Sequence, residues 1–196
     1  WRGLPISQAT AEFRWQDETL HVLSSSVRSG DGAVVASGTV TLAADGSRPP
    51  RFEFAARATA FQLDPYVAVL SPRVDFSAAV NGHAHVTGSL ESYDGEATLS
   101  LANATYVGVP IALDSVEMTA AAGRWTAAPF EFRVSSVPFD AAATFDVETY
   151  AFSAAFPAAI PISDLLTWLP NASEGTLEDA EGFVRLAAEG EGSFSS

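Results

Sequence analysis

Apolar residues recur at every second position over most of this chain, a pattern that fits strands with one greasy and one polar face and little else. Between Ala33 and Leu42, the residues Val34, Ala36, Gly38, Val40 and Leu42 share one face, while Ser37, Thr39 and Thr41 occupy the other. Turn-forming residues bound this run, Ser29-Gly30-Asp31-Gly32 before it and Ala44-Asp45-Gly46-Ser47 after it, where Gly supplies positive φ and Asp tolerates it. The rhythm continues through Phe52, Phe54, Ala56 and Ala58, then Val74, Phe76, Ala78 and Val80, then Ala84, Val86, Gly88 and Leu90. Asn81-Gly82 carries the strongest short hairpin signal and is expected to turn the chain, as is Asp94-Gly95 ahead of Ala97, Leu99 and Leu101. Val116 with Met118, Phe130 with Phe132 and Val134, Ala143 with Phe145 and Val147, and Tyr150 with Phe152 and Phe156 extend the pattern. Phe13 with Trp15 and Leu20 with Val22 begin it. About a dozen strands at roughly 8–14-residue spacing read as an antiparallel meander.

Helical periodicity is brief and occurs twice. Leu63–Leu70 and Ile162–Leu169 each place an Asp near the start, where the helix dipole favours a carboxylate, and each is closed by a proline, Pro72 or Pro170. Leu63 and Ile162 stand 99 positions apart, which suggests a repeat of strands plus one short helix. The expected organisation is a first group of strands over 1–61, a central repeat over 62–161 and the start of a further repeat over 162–196, all in one continuous β-structure. The chain opens on Trp1 and closes near Glu189-Gly190-Glu191-Gly192-Ser193, and it is read as a piece of a longer protein.

A sheet with one apolar face has to cover it. Two helices of this size cannot cover a dozen strands, so the sheet itself is expected to curl, into a groove, an open barrel or a closed sandwich. Much of the 47% hydrophobic content is Ala, so the surface being covered is shallow or closely packed. No run approaches the ~20 apolar residues of a spanning helix.

Charge narrows the partners. The net charge is −14, and all ten basic residues are Arg. Phosphate neutralisation needs a basic stripe that the chain lacks, so nucleic acid is not expected as a partner, and charge-driven docking on anionic headgroups is disfavoured. The absence of Cys removes thiolate metal sites, disulfides and a cysteine nucleophile.

The stretch Asp94-Gly95-Glu96-Ala97-Thr98-Leu99-Ser100-Leu101-Ala102-Asn103-Ala104, continuing through Gly108-Val109-Pro110-Ile111-Ala112-Leu113, resembles the strand rhythm of the AsmA-like superfamily of Gram-negative envelope proteins. Ser37-Gly38-Thr39-Val40-Thr41-Leu42 and Thr87-Gly88-Ser89-Leu90 resemble its recurrent Gly-Thr-Leu-type strands, and the resemblance covers most of the chain. It implies an all-β fold, a long twisted antiparallel sheet curled into a taco-like groove with two short linker helices. It further implies carriage of phospholipid acyl chains between inner and outer membranes and a role in outer-membrane biogenesis. The location implied is the periplasm, in a parent chain anchored to the inner membrane. Partners on this reading are phospholipids, the two membranes through other parts of the parent chain, and an outer-membrane assembly protein; no cofactor is implied. The groove is expected to be lined by Val34, Val40, Leu42, Phe52, Phe54, Val74, Phe76, Val86, Leu90, Leu99, Leu101, Phe130, Phe132, Phe145, Val147 and Phe152.

Candidate chemistry is sparse. His83-Ala84-His85 puts two imidazoles on one strand face, and His21 is the only other His, so solvent-facing polar positions are the expected reading rather than a metal site. Asp75, Glu91 and the Glu174–Glu181 cluster read as a solvated acidic surface rather than a glycosidase pair. Ser24-Ser25-Ser26 lacks a nucleophile elbow, and no glycine loop cradles phosphate. No catalytic activity is expected. The competing readings are a closed β-sandwich used for binding or adhesion and a piece of an outer-membrane barrel.

Overall fold

The computed structural model describes residues 6–42, 49–69, 75–89, 91–135 and 137–146 in full, and Leu70, 151–161 and 183–193 as backbone. Eleven strands form a single antiparallel sheet in which every strand pairs with its sequence neighbours. They are β1 (Gln8–Gln16), β2 (Thr19–Ser29), β3 (Gly32–Thr41), β4 (Arg51–Gln62), β5 (Phe76–Ser89), β6 (Tyr93–Tyr106), β7 (Val109–Ala121), β8 (Arg124–Val134), β9 (Val137–Asp146), β10 (Ala151–Pro161) and β11 (Phe183–Ser193). One helix, α1 (Asp64–Leu70), links β4 to β5 and packs against β5. Its Tyr66 ring stacks on Phe61 at 5.3 Å. The helix expected over 162–169, and with it the 99-residue repeat, lies outside the described residues. The sheet runs without a break across the boundaries expected at 61/62 and 161/162.

The sheet does not close. Strand β1 pairs only with β2 and β11 only with β10, and no second sheet packs on either face among the described residues. A closed sandwich is therefore not the architecture.

Tight connections carry the meander. Asp17-Glu18, Val107-Gly108 and Ala122-Gly123 are two-residue loops with both residues at positive φ, the geometry whose twist matches that of the flanking strands. Gly30-Asp31 joins β2 to β3 with Gly30 at φ 59°. Asn81-Gly82 and Asp94-Gly95 are not turns, contrary to expectation. Both dipeptides lie inside strands, β5 and β6, and none of the four residues has positive φ. Asn81 instead anchors an irregularity in β4, its Oδ1 accepting the Ala60 N–H at 2.8 Å where Ala60 is held at φ 46°. The chain reverses between β5 and β6 over residues 90–92, where Ser89 and Ser92 hydrogen bond to each other.

Register shifts of this kind recur in β2, β4, β6, β7 and β8, each setting two residues against one. Such bulges increase local twist and bend a sheet. Glycines sharpen the bend. A Cβ on Gly38 would lie 2.1 Å from the Glu53 carbonyl oxygen, and one on Gly82 would lie 2.2 Å from that of Thr98. No side chain tolerates such proximity, so these strands close up towards the apolar side as only glycine allows. Strand β2 correspondingly approaches β4 across β3. The result is a curled open sheet, concave on its apolar face.

Candidate functional site: an apolar trough with an alanine floor

Cross-strand register assembles the concave face row by row. One row passes through Ala11, Ser25, Ala36, Ala56, Ala84, Ala97, Met118, Ala127, Ala143 and Ala154, each directly opposite the next, so it crosses β1 to β10 without interruption. Nine of its ten side chains are no larger than Ser. Because neighbouring strands stand ~4.8 Å apart, this strip of small residues runs about 43 Å across the strands. It forms the floor of a trough whose axis is perpendicular to the strand direction.

Large residues flank the floor on both sides. One wall carries Phe13, Trp15, Phe52, Phe54, Tyr93, Trp125 and Phe145. The other carries Phe61, Val80, Leu99, Leu101, Leu113 and, towards β8 and β9, Phe132 and Phe139. Glycines face the bulkiest side chains: Phe54 lies over Gly38, Leu99 over Gly82, Tyr93 over Gly88, and Val86 with Trp125 over Gly95. A ring that leans across a glycine reaches strands that are not its neighbours. Phe52 on β4 and Tyr93 on β6 have centroids 6.3 Å apart, and Tyr93 and Trp125 on β8 are 6.5 Å apart. A flat sheet would hold these pairs ~9.6 Å apart. Trp125 Nε1 donates to the Tyr93 hydroxyl at 3.2 Å, and that hydroxyl donates to the Gly123 carbonyl at 3.3 Å, so the polar tips of both rings are satisfied at the rim.

The trough is half-open along most of its length. Most residues of the face are neither buried nor fully exposed. At one place they seal: Val137 is 1% and Phe139 8% exposed, with Phe132 stacked on Phe139 at 5.1 Å and Val134 against them. Elsewhere the buried residues are chiefly floor and bend positions, such as Ala78, Ala97, Ala120 and Ala127.

Charge is confined to the other face. No Asp, Glu, Arg or His stands on the concave face among the described residues of the strands. The convex face carries His85 with Glu53 at 3.2 Å, Arg133 with Asp114 at 3.1 Å and Arg124 with Asp146 at 3.5 Å. His83 and His85 both lie there, and no group of three or more His, Asp or Glu able to hold a metal ion occurs among the described residues. Two shallow depressions of about 320 Å³ lie on the convex face, one around Thr39, Arg51, Thr87 and Asp94 and the other around Ser37, Ala55 and His85. They are open to solvent and bring together no nucleophile with a base.

Of the residues expected to line a groove, Val34, Val40, Phe52, Phe54, Phe76, Val86, Leu99, Leu101, Phe130, Phe132 and Phe145 share the concave face. Leu42 lies just beyond β3 and is exposed. Phe152 sits opposite Phe145 in register. Val74, Leu90 and Val147 lie outside the described residues. Sequence reasoning missed the floor: it weighed large side chains, whereas the continuous feature is the alanine row, signalled only by the high Ala content.

No family model, curated protein or solved structure matches this chain at a significant level. Fold and face together define its class, an open antiparallel β-trough with an uncharged interior. No helix among the described residues is long and apolar enough to cross a membrane.

Proposed function

We propose that the chain is a segment of a periplasmic lipid carrier, its trough holding phospholipid acyl chains on their way between inner and outer membranes. The observation that carries this reading is the uncharged concave face, continuous across the strands and covered by no second layer. Each apolar side chain buried fully is worth ~1.5–3 kcal/mol, so an apolar ligand gains wherever the trough leaves such surface open. Headgroups fit the geometry as well, because an open trough leaves them in water while the chains lie against the floor. The resemblance of the strand rhythm to the AsmA-like superfamily supports the same reading, and with it a parent chain tethered to the inner membrane that works with an outer-membrane assembly protein.

The test is direct. The protein is purified without detergent from Gram-negative cells and extracted with organic solvent, and the extract is analysed by mass spectrometry. Phospholipid in near-stoichiometric amount is the expected result. Extracts free of phospholipid, together with no uptake of a fluorescent fatty acid from vesicles, would overturn the reading.

A further inference from the structure

We propose that two copies of this chain pair through their β1 edges, antiparallel about a two-fold axis, to join two troughs into one. This goes beyond the lipid reading and does not depend on it.

Strand β1 is an edge with no other partner than β2, and all nine of its residues are exposed. Its concave-face side chains, Phe13 and Trp15, are 67% and 57% exposed. Their row-mates one to three strands inward, Leu20, Val22, Phe52 and Phe54, are half-buried. Edges are normally blunted by proline, lysine, inward-pointing charge or a bulge. Strand β1 has no Pro, no Lys and no charge on its concave face, and the extra residue at its irregular position belongs to β2. A regular, apolar and unprotected edge is a template for one more strand.

Register selects the occupant. Directly opposed residues in an antiparallel pair share a face, so only registers that match concave with concave positions are allowed. Centring the two-fold on Phe13 sets Phe13 against Phe13 of the second copy, and Trp15 against Ala11. That repeats the large-over-small pairing of the interior rows. On the convex face it sets Glu12 against Arg14 of the second copy and Arg14 against Glu12, two reciprocal opposite-charge pairs. Moving the centre by one residue either way puts Glu12 against Glu12 or Arg14 against Arg14, which is unfavourable. The edge is thus complementary to itself in a single register, as a two-fold interface requires. In that arrangement the axis is perpendicular to the sheet, so both concave faces look the same way.

Sedimentation velocity on the full chain over a micromolar concentration series tests the proposal, with hydrogen exchange at the β1 amides followed alongside. The expected result is a monomer–dimer equilibrium whose β1 amides gain protection as concentration rises. Arg14→Glu and Glu12→Arg, each exposed and leaving the far-ultraviolet circular dichroism unchanged, should each weaken the dimer by about tenfold or more. The double variant E12R/R14E restores both pairs and should return to within about threefold of the natural affinity. A monomer at every concentration, whether or not its β1 amides are protected, would overturn the proposal. So would open-ended oligomers, single swaps that dimerise normally, or a double swap that fails to rescue.

Discussion

Gly82→Ala tests the creased trough at its tightest described approach between β5 and β6. A Cβ there would stand 2.2 Å from the Thr98 carbonyl oxygen and 2.8 Å from Leu99 Cδ2, whereas ordinary contact begins at 3.4 Å. The nearest atom is backbone, so β6 has to withdraw by about 1.2 Å rather than turn a side chain aside. Overpacking of this kind costs ~1–3 kcal/mol, and the loss of unfolded-state freedom on Gly→Ala returns ~0.4–1 kcal/mol. The net expectation is about 2 kcal/mol, at the upper end because the obstacle is a carbonyl in a hydrogen-bonded ladder. An open sheet contacts itself only between neighbours, so the loss should be local and is best read by native-state hydrogen exchange. Amides of β5 and β6 should exchange about 30-fold faster, since ~1.4 kcal/mol is a factor of ten. The control is Gly108→Ala, where a Cβ meets nothing within 4 Å and the only penalty is φ +76°. That strain is ~1–2 kcal/mol and should stay within the β6–β7 hairpin. Unchanged β5 and β6 amides in Gly82→Ala would refute the claim that glycine is what lets the strands close up.

Asn81→Ala removes the acceptor of the Ala60 N–H and should destabilise β4 and β5 by about 1–2 kcal/mol in denaturant titration. Phe139→Ala empties the one sealed cluster and should cost ~3–5 kcal/mol by the same measurement. Val107 is 61% exposed and β-branched at φ 51°, so Val107→Asn, which makes an Asn-Gly loop, should stabilise by about 1 kcal/mol and raise the melting temperature by roughly 2–4 °C. Phe54→Asp combined with Leu99→Asp places a charge on each wall of the trough and should abolish recovery of phospholipid in solvent extracts of the folded protein.

Strand existence and face were legible because period two survives through nearly every segment. Two turn assignments failed, and the alternation itself holds the reason. A two-residue loop pairs the residues on either side of it, so the apolar set switches between odd and even positions. It does so at Asp17-Glu18, where Trp15 pairs with Leu20, and at Ala122-Gly123, where Ala120 pairs with Trp125. Across Asn81-Gly82 the apolar set keeps its parity, from Val80 to Ala84. A hairpin there would have turned His83 and His85 onto the greasy face. The dipeptide preference was real but weaker than the parity, and the Asn side chain had another task at the Ala60 irregularity. Turns such as Val107-Gly108 and Ala122-Gly123 carry no Asn or Asp to announce them, yet parity switches at both. The alanine floor was invisible for a different reason: it exists only in the register between strands, and no single strand contains it.

That floor also explains how such a face can stand open. Apolar surface in water costs ~25 cal/mol per Å², and Ala presents far less of it than Leu or Phe. A sheet awaiting a permanent cover would gain from large side chains along its midline, as the sealed cluster of Val137, Phe139 and Phe132 does. This sheet instead keeps its midline small and folds its large rings inward over glycines, where Tyr93 and Trp125 shield one another and share a hydrogen bond. The arrangement lowers the penalty of the empty state while leaving width above the floor. It also makes capacity proportional to strand number, because each added strand contributes one floor residue and ~4.8 Å of length. A closed core has no use for a lengthwise strip of this kind, whereas a ligand that slides needs one free of steps and charges. Met118 is the single larger side chain interrupting the row, unbranched and able to change rotamer as a chain passes.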